Sequence, residues 1–159
     1  MAVAREIASE AGGTLVERFH QVKKVTSKGR GNIVTDVDTE VEEKMLEAIR
    51  REFPDMGFLG EESKGASPDS GYVWIVDPVD GTRNYASGVP FFSLVVGLVL
   101  DGEVLVGVNY DPLREEMFHA ERGAGAFLND EPIRISERMS IEESVLGMDL
   151  SYDDEGAVN

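Results

Sequence analysis

The chain has 159 residues, 42% of them apolar, no cysteine, and a formal charge of −16 from 31 acidic and 15 basic residues. That length holds one domain with a real core, and no apolar run approaches the ~20 residues that cross a bilayer. The acidic balance repels phosphate backbones and anionic lipid, which argues against nucleic acid and membrane as partners, and the lack of cysteine excludes disulfides, thiolate metal sites and thiol nucleophiles. The amino terminus, MAVAREIASEAGG, carries charges where a secretory signal is apolar, so the expected compartment is the cytoplasm.

Val3, Ile7, Ala8, Ala11, Leu15 and Phe19 recur at spacings of three and four, predicting an amphipathic helix that Gly12 and Gly13 weaken. The polar stretch KGRGN then reads as a turn: it has the glycines of a phosphate loop without the Gly-Lys-Ser/Thr ending, although Lys28 could lie near an anionic site. Thr39 with Glu42 three residues later predicts a capping box for a second helix, which buries Val41, Met45, Ile49 and Phe53 and stops at Pro54. YVWIV, from Tyr72, is a buried strand that delivers Asp77 to its end, where Pro78 is expected to turn the chain.

FSLVVGLVL and EVLVGVNY flank Asp101-Gly102, a strong hairpin signal, and short strands at MFHA, AFLN and PIRIS continue the meander. SVLGMDL could add one more strand, and YDDEGAVN has the composition of an unpaired tail. The predicted fold class is α+β, two helices packed on a mostly antiparallel sheet.

Three acidic segments carry the chemistry. In WIVDPVDGT a strand end presents Asp77, and the following loop presents Asp80 beside Gly81, whose missing side chain lets backbone N–H groups approach an anion. A bare Asp-x-x-Asp is usually only a turn; with the strand before it and Gly-Thr after it, hard oxygen ligands beside an oxyanion site are the better reading. Gly60-Glu61-Glu62-Ser63, taken alone, reads as solvated loop charge. Thr35-Asp36-Val37-Asp38 precedes the second helix, where Asp38 could cap it, serve chemistry, or do both.

If the three segments meet, carboxylates ~4 Å apart repel by about 4 kcal/mol at an effective dielectric near 20, so their convergence implies cations or protons, with Mg²⁺ the favoured cation. Other motifs fail on the same residues. Asp36-x-Asp38-x-Glu40 begins like an EF-hand, but Val41 stands where that loop needs glycine. Asp36-Val37-Asp38-Thr39-Glu40 also lacks the last residue of the Asp-x-Asp-x-Thr/Val motif of haloacid dehalogenase-type phosphatases. His20 and His119 show no paired ligand spacing and read as ordinary surface or half-buried side chains.

Gly-Glu-Glu-Ser followed by Trp-Ile-Val-Asp-Pro-Val-Asp-Gly-Thr resembles the signature of the inositol monophosphatase family, and the helix pair, the long hairpin and ERGAGAFLNDEPIRIS extend the likeness over nearly the whole chain. The resemblance implies the amino-terminal part of the sugar-phosphatase fold. It also implies Mg²⁺, two or three ions in a complete site with Mn²⁺ as a substitute, held by Glu61, Asp77, Asp80 and the Val79 carbonyl. Asp80, Gly81 and Thr82 would hold the substrate phosphate. Thr82, bonded to Asp38, would orient the attacking water, with Glu62 supporting the metal ligands or the water.

The activity implied is hydrolysis of small sugar or polyol phosphates such as inositol 1-phosphate or fructose 1,6-bisphosphate. The related 3′-phosphoadenosine 5′-phosphate phosphatases are an alternative, for which Arg83 could contact a second anionic group. Family members are longer, with a second half containing Trp-Asp, whereas the tryptophan here is Trp74, followed by Ile75. Residues 1–140 are therefore expected to form the α+β domain and 141–159 the start of a second domain or a disordered tail. The expected partners are a small phosphate monoester and either a second copy or a carboxy-terminal half. The alternative is a truncated, non-catalytic domain that binds metal or a partner, with an apolar face of the sheet or first helix left open.

Overall fold

The computed structural model describes residues 1–21, 23–29, 32–63, 65, 71–145 and 147. Its elements are α1 (Ala2–Arg18), β1 (Val25–Gly29), β2 (Asn32–Thr35), α2 (Asp36–Glu52), β3 (Gly57–Gly60), β4 (Tyr72–Asp80), α3 (Thr82–Ala86), β5 (Ser93–Leu100), β6 (Glu103–Asp111), β7 (Glu116–Glu121), β8 (Gly125–Leu128), β9 (Glu131–Ile133) and a 3₁₀ turn at Ile141–Glu143.

Of the stripe predicted for α1, Ile7, Ala8, Ala11, Leu15 and Phe19 are in the core, whereas Val3 is only partly buried and the neighbouring Ala4 takes the buried position. Gly12 does not break the helix, because its bare backbone is what lets α1 lie close on β6. A Cβ there would stand 2.6 Å from the Tyr110 ring and 3.0 Å from Pro112. The second helix begins earlier than the Thr39-Glu42 pattern suggests. Thr35 is the cap, its hydroxyl accepting from the N–H of Val37 and Asp38, while the Asp38 carboxylate accepts from the Thr35 N–H at 3.0 Å. The start moves because Val37 belongs to the same buried stripe as Val41, Met45 and Ile49, and extending the helix by one turn places it in the core.

Strands β3 to β9 form one seven-stranded sheet in chain order, and all neighbours are antiparallel except β3 and β4. The hairpin between β5 and β6 turns on Asp101 and Gly102, both with positive φ, as a two-residue loop requires. Lys28 and Gly29 on one side of KGRGN and Asn32 on the other belong to β1 and β2, which pair in a separate two-stranded ribbon. Pro78 does not turn the chain. It lies inside β4, where the register against β5 shifts between Asp77 and Asp80, so the missing N–H falls at a bulge. The tail YDDEGAVN and most of SVLGMDL lie outside the described residues.

Helices α1 and α2 cover one face of the sheet, α2 on β4 and α1 on β5 and β6. Trp74, Val76, Leu94, Val96, Val106 and Val108 point into that layer. This is the predicted α+β architecture with additions: the β1–β2 ribbon, β3 beside β4, and the short α3 at the end of β4. No helix among the described residues is long and apolar enough to cross a membrane.

Candidate active site

The site forms where β4 leaves the sheet. The bulge after Asp77 folds the chain back so that the Val79 N–H donates to Asp77 Oδ1 at 3.0 Å. Gly81 then takes a left-handed conformation, φ 95°, and opens α3 with Thr82 as its first residue. A side chain at Gly81 would press on the Phe91 carbonyl at 3.2 Å in addition to the backbone strain. The first N–H groups of a helix have no acceptor within it.

Thr82 ties the loop to α2. Its hydroxyl lies 2.9 Å from Asp38 Oδ1 and 3.0 Å from the Val79 carbonyl. Asp38 is fully buried, with one oxygen serving the cap and the other the Thr82 hydroxyl of the loop. The base of α3 is fixed by Tyr85, also fully buried, whose hydroxyl donates to the Leu15 carbonyl at 2.9 Å and whose ring packs edge-on against Phe92.

β3 brings Glu61 and Glu62 alongside, since its parallel pairing sets Gly60 opposite Val76, one residue before Asp77. Glu61 and Asp77 meet closely enough to share a hydrogen bond. Burial, then the Glu61 charge and that bond, push the Asp77 carboxyl up to about 7. Glu62 binds Lys28 of β1 at 2.5 Å, and the same ammonium stands 3.8 Å from Glu61. Burial raises the Glu62 carboxyl, with Lys28 opposing. Burial pulls the Lys28 ammonium down, but Glu62, Glu61 and Asp38 outweigh it and hold it above its usual range.

Glu42 is the site residue that the sequence reading missed. It is buried on α2, and its Oε2 accepts the Glu62 N–H at 2.8 Å. Its carboxylate fills the space over Gly60, where a Cβ would fall 2.5 Å from it. The signal was present as two carboxylates four apart, Asp38 and Glu42, on the edge of the apolar stripe, where solvated charges do not belong. Gly60→Ala is therefore expected to displace Glu42, release the Glu62 backbone and cost about 1–3 kcal/mol. Urea unfolding measures the loss, and an unchanged midpoint would show that Glu42 moves freely.

The profile of the Inositol monophosphatase family matches residues 1–159. Inositol monophosphatase 1 of Solanum lycopersicum is 36% identical over 154 residues, covering 94% of this chain and 56% of that protein. The fructose-1,6-bisphosphatase/inositol-1-monophosphatase of Thermotoga maritima is 39% identical over 150 residues, covering 94% and 57%. The chain belongs to the inositol monophosphatase family. Its fold superposes on the crystal structure of the extragenic suppressor protein SuhB from Bartonella henselae with a TM-score of 0.84 at 39% identity, covering 87% of this chain and 55% of that one. The chain thus spans about half the length of the relatives it matches.

Against the ligand set that the family resemblance implies, Glu61 and Asp77 meet, and Asp80 adds its charge from the far side of the bulge. Among the described residues no group of three or more acidic or histidine side chains converges at metal-holding distance. Three carboxylates balanced only by protein groups repel one another, and here Lys28 stands against Glu61 while burial and the Glu61 charge raise the Asp77 carboxyl. The donors fit a hard divalent ion in kind, since all are oxygens and a dication favours the ionised form of a carboxyl so raised. Neither histidine takes part. His20 is exposed, and His119 is buried with Nε2 2.7 Å from the Asn129 carbonyl.

Proposed function

We propose that this chain provides the phosphate- and metal-handling half of a Mg²⁺-dependent phosphomonoesterase for small sugar or polyol phosphates, with inositol 1-phosphate and fructose 1,6-bisphosphate as candidates. The observation that carries this reading is the Thr82–Asp38 hydrogen bond, which joins the phosphate loop to a buried carboxylate 44 residues away in sequence. Held by Glu61, Asp77, Asp80 and the Val79 carbonyl, Mg²⁺ or Mn²⁺ would supply charge neutralisation and Lewis acidity.

The chain's own groups do the rest. The first N–H groups of α3, at Gly81 and Thr82, receive phosphate oxygens. Thr82 keeps lone pairs for the attacking water, and Asp38 holds the hydroxyl in orientation and accepts the proton that passes through it. Glu62, kept in place by Lys28 and by Glu42, steadies the Glu61 side of the site. In this reading residues 1–140 form the α+β unit. A second reading, a domain that binds metal or a partner without turnover, draws on Lys28, whose ammonium already neutralises Glu61 and Glu62.

Phosphate release from the two sugar phosphates, with and without Mg²⁺, separates these readings. Mg²⁺-dependent release that Asp80→Asn abolishes supports the enzyme. Release that survives the substitution removes Asp80 from the mechanism, and no release with Mg²⁺ bound supports the non-catalytic reading.

A further inference from the structure

The ladder that sets β3 beside β4 ends one residue before Glu61. Among the described residues β3 pairs with β4 alone, and its last pair is Gly60 with Val76. Both neighbours of Glu61 rest instead on one side chain of α2. Gly60 backs onto the Glu42 carboxylate so tightly that a Cβ would stand 2.5 Å from its carbon, and the Glu62 N–H donates to Glu42 Oε2 at 2.8 Å.

Glu42 is 2% exposed, and a carboxylate is costly to bury. A side chain that only filled this space would be apolar, as Val41, Met45 and Ile49 are on the same helix. Asp38 lies one helical turn earlier, is also buried, and holds the other side of the site through the Thr82 hydroxyl at 2.9 Å. The two residues stand about 6 Å apart along the axis of a helix packed on β4. Asp38 grips the phosphate loop, and Glu42 grips the segment that carries the acidic pair.

We propose, building on the metal-handling reading above, that Glu42 is a positioning residue that sets the Glu61 carboxylate against Asp77, so that one turn of α2 fixes the spacing between the metal side and the phosphate side of the site. Glu42 acts through the backbone of Gly60 and Glu62 and touches neither ion nor substrate.

The test measures Mg²⁺ affinity by titration calorimetry, together with the thermal midpoint, for the 159-residue chain and three variants. Glu42→Gln keeps the length of the side chain and an acceptor oxygen, so its affinity should stay close to that of the parent. Glu42→Asp keeps the charge but withdraws the oxygens by one methylene, and should weaken Mg²⁺ binding about tenfold. Glu42→Asp with Gly60→Ala puts a methyl group into the space left behind, and should recover part of the lost midpoint and none of the lost affinity. Affinity that returns with the midpoint overturns the proposal, as does an aspartate variant that binds as tightly as the parent. A glutamine variant as weak as the aspartate one also overturns it, because charge and not reach would then be what matters. A parent that takes up no Mg²⁺ overturns the metal reading instead, and amide exchange in EDTA then decides the role of Glu42. Exchange at the Glu62 N–H that is slow in the parent and fast in both aspartate variants supports positioning by Glu42, and the same rate in all three overturns it.

Discussion

Asp77→Asn is expected to make the metal-free protein more stable at pH 8 while removing most of its affinity for Mg²⁺. In the folded chain the Asp77 carboxyl is raised to about 7, first by burial and then by Glu61 and Asp80. Between the ordinary carboxylate range and that value the folded state binds a proton that the unfolded state has lost. Stability therefore falls as pH rises through this window, and the penalty is complete above it. The side chain is only partly buried, so with allowance for solvent screening the penalty is on the order of 1–2 kcal/mol.

Asparagine removes the charge and keeps the oxygen that accepts the Val79 N–H, so the bulge survives. Its amide also donates to Glu61. In EDTA the variant should melt above the parent at pH 8, and the two should converge near pH 4, where both are neutral at this position. Titration calorimetry should show Mg²⁺ affinity down roughly tenfold or more, because one of the anionic oxygens has gone. A variant that melts below its parent at pH 8 would show that Asp77 is not under charge strain.

The parts of the fold carried by periodicity were readable from sequence. The stripe of α1, the Asp101-Gly102 hairpin and the meander each follow from spacing or turn chemistry that acts over a few residues. The errors came where two local rules competed. Thr39-Glu42 and Thr35-Asp38 are both capping patterns, and the choice between them depended on whether Val37 could reach a core that only the sheet creates. Pro78 is a turn signal in isolation, yet a bulge absorbs it in the middle of β4. β1 of the ribbon, Val-Thr-Ser-Lys-Gly, is exposed along its whole length, so it has no apolar alternation to announce it.

The candidate site was readable as motifs and not as geometry. Glu61-Glu62 and Asp77-Pro-Val-Asp-Gly-Thr stand out in the sequence, but the parallel pairing of β3 with β4, which sets them side by side, is a non-local event. Glu42 escaped assignment for the same reason, since it acts through Glu62, 20 residues away in sequence. Lys28, expected near an anionic site, does lie there, against Glu61 and Glu62.

Asp38 carries the second large expected effect, because it joins the helix cap to the phosphate loop. Asp38→Ala removes the acceptor for the Thr35 N–H and hydroxyl and for the Thr82 hydroxyl, in a place that water does not reach. Loss of the cap and stranding of buried donors together should cost about 2–4 kcal/mol. Thr82→Val touches only one of these bonds and keeps the shape of the side chain, so it should cost about 1 kcal/mol. If Thr82 orients the water, the valine variant should still bind Mg²⁺ but lose phosphate release.

The double variant isolates the bond itself. Asp38 and Thr82 are in direct contact, so their effects should fall short of additivity by about 1 kcal/mol in urea unfolding. The coupling should persist in EDTA, since both oxygens belong to the protein. Strict additivity would mean that the loop is held by Tyr85 and the Gly81 turn alone, with Asp38 acting only as a cap.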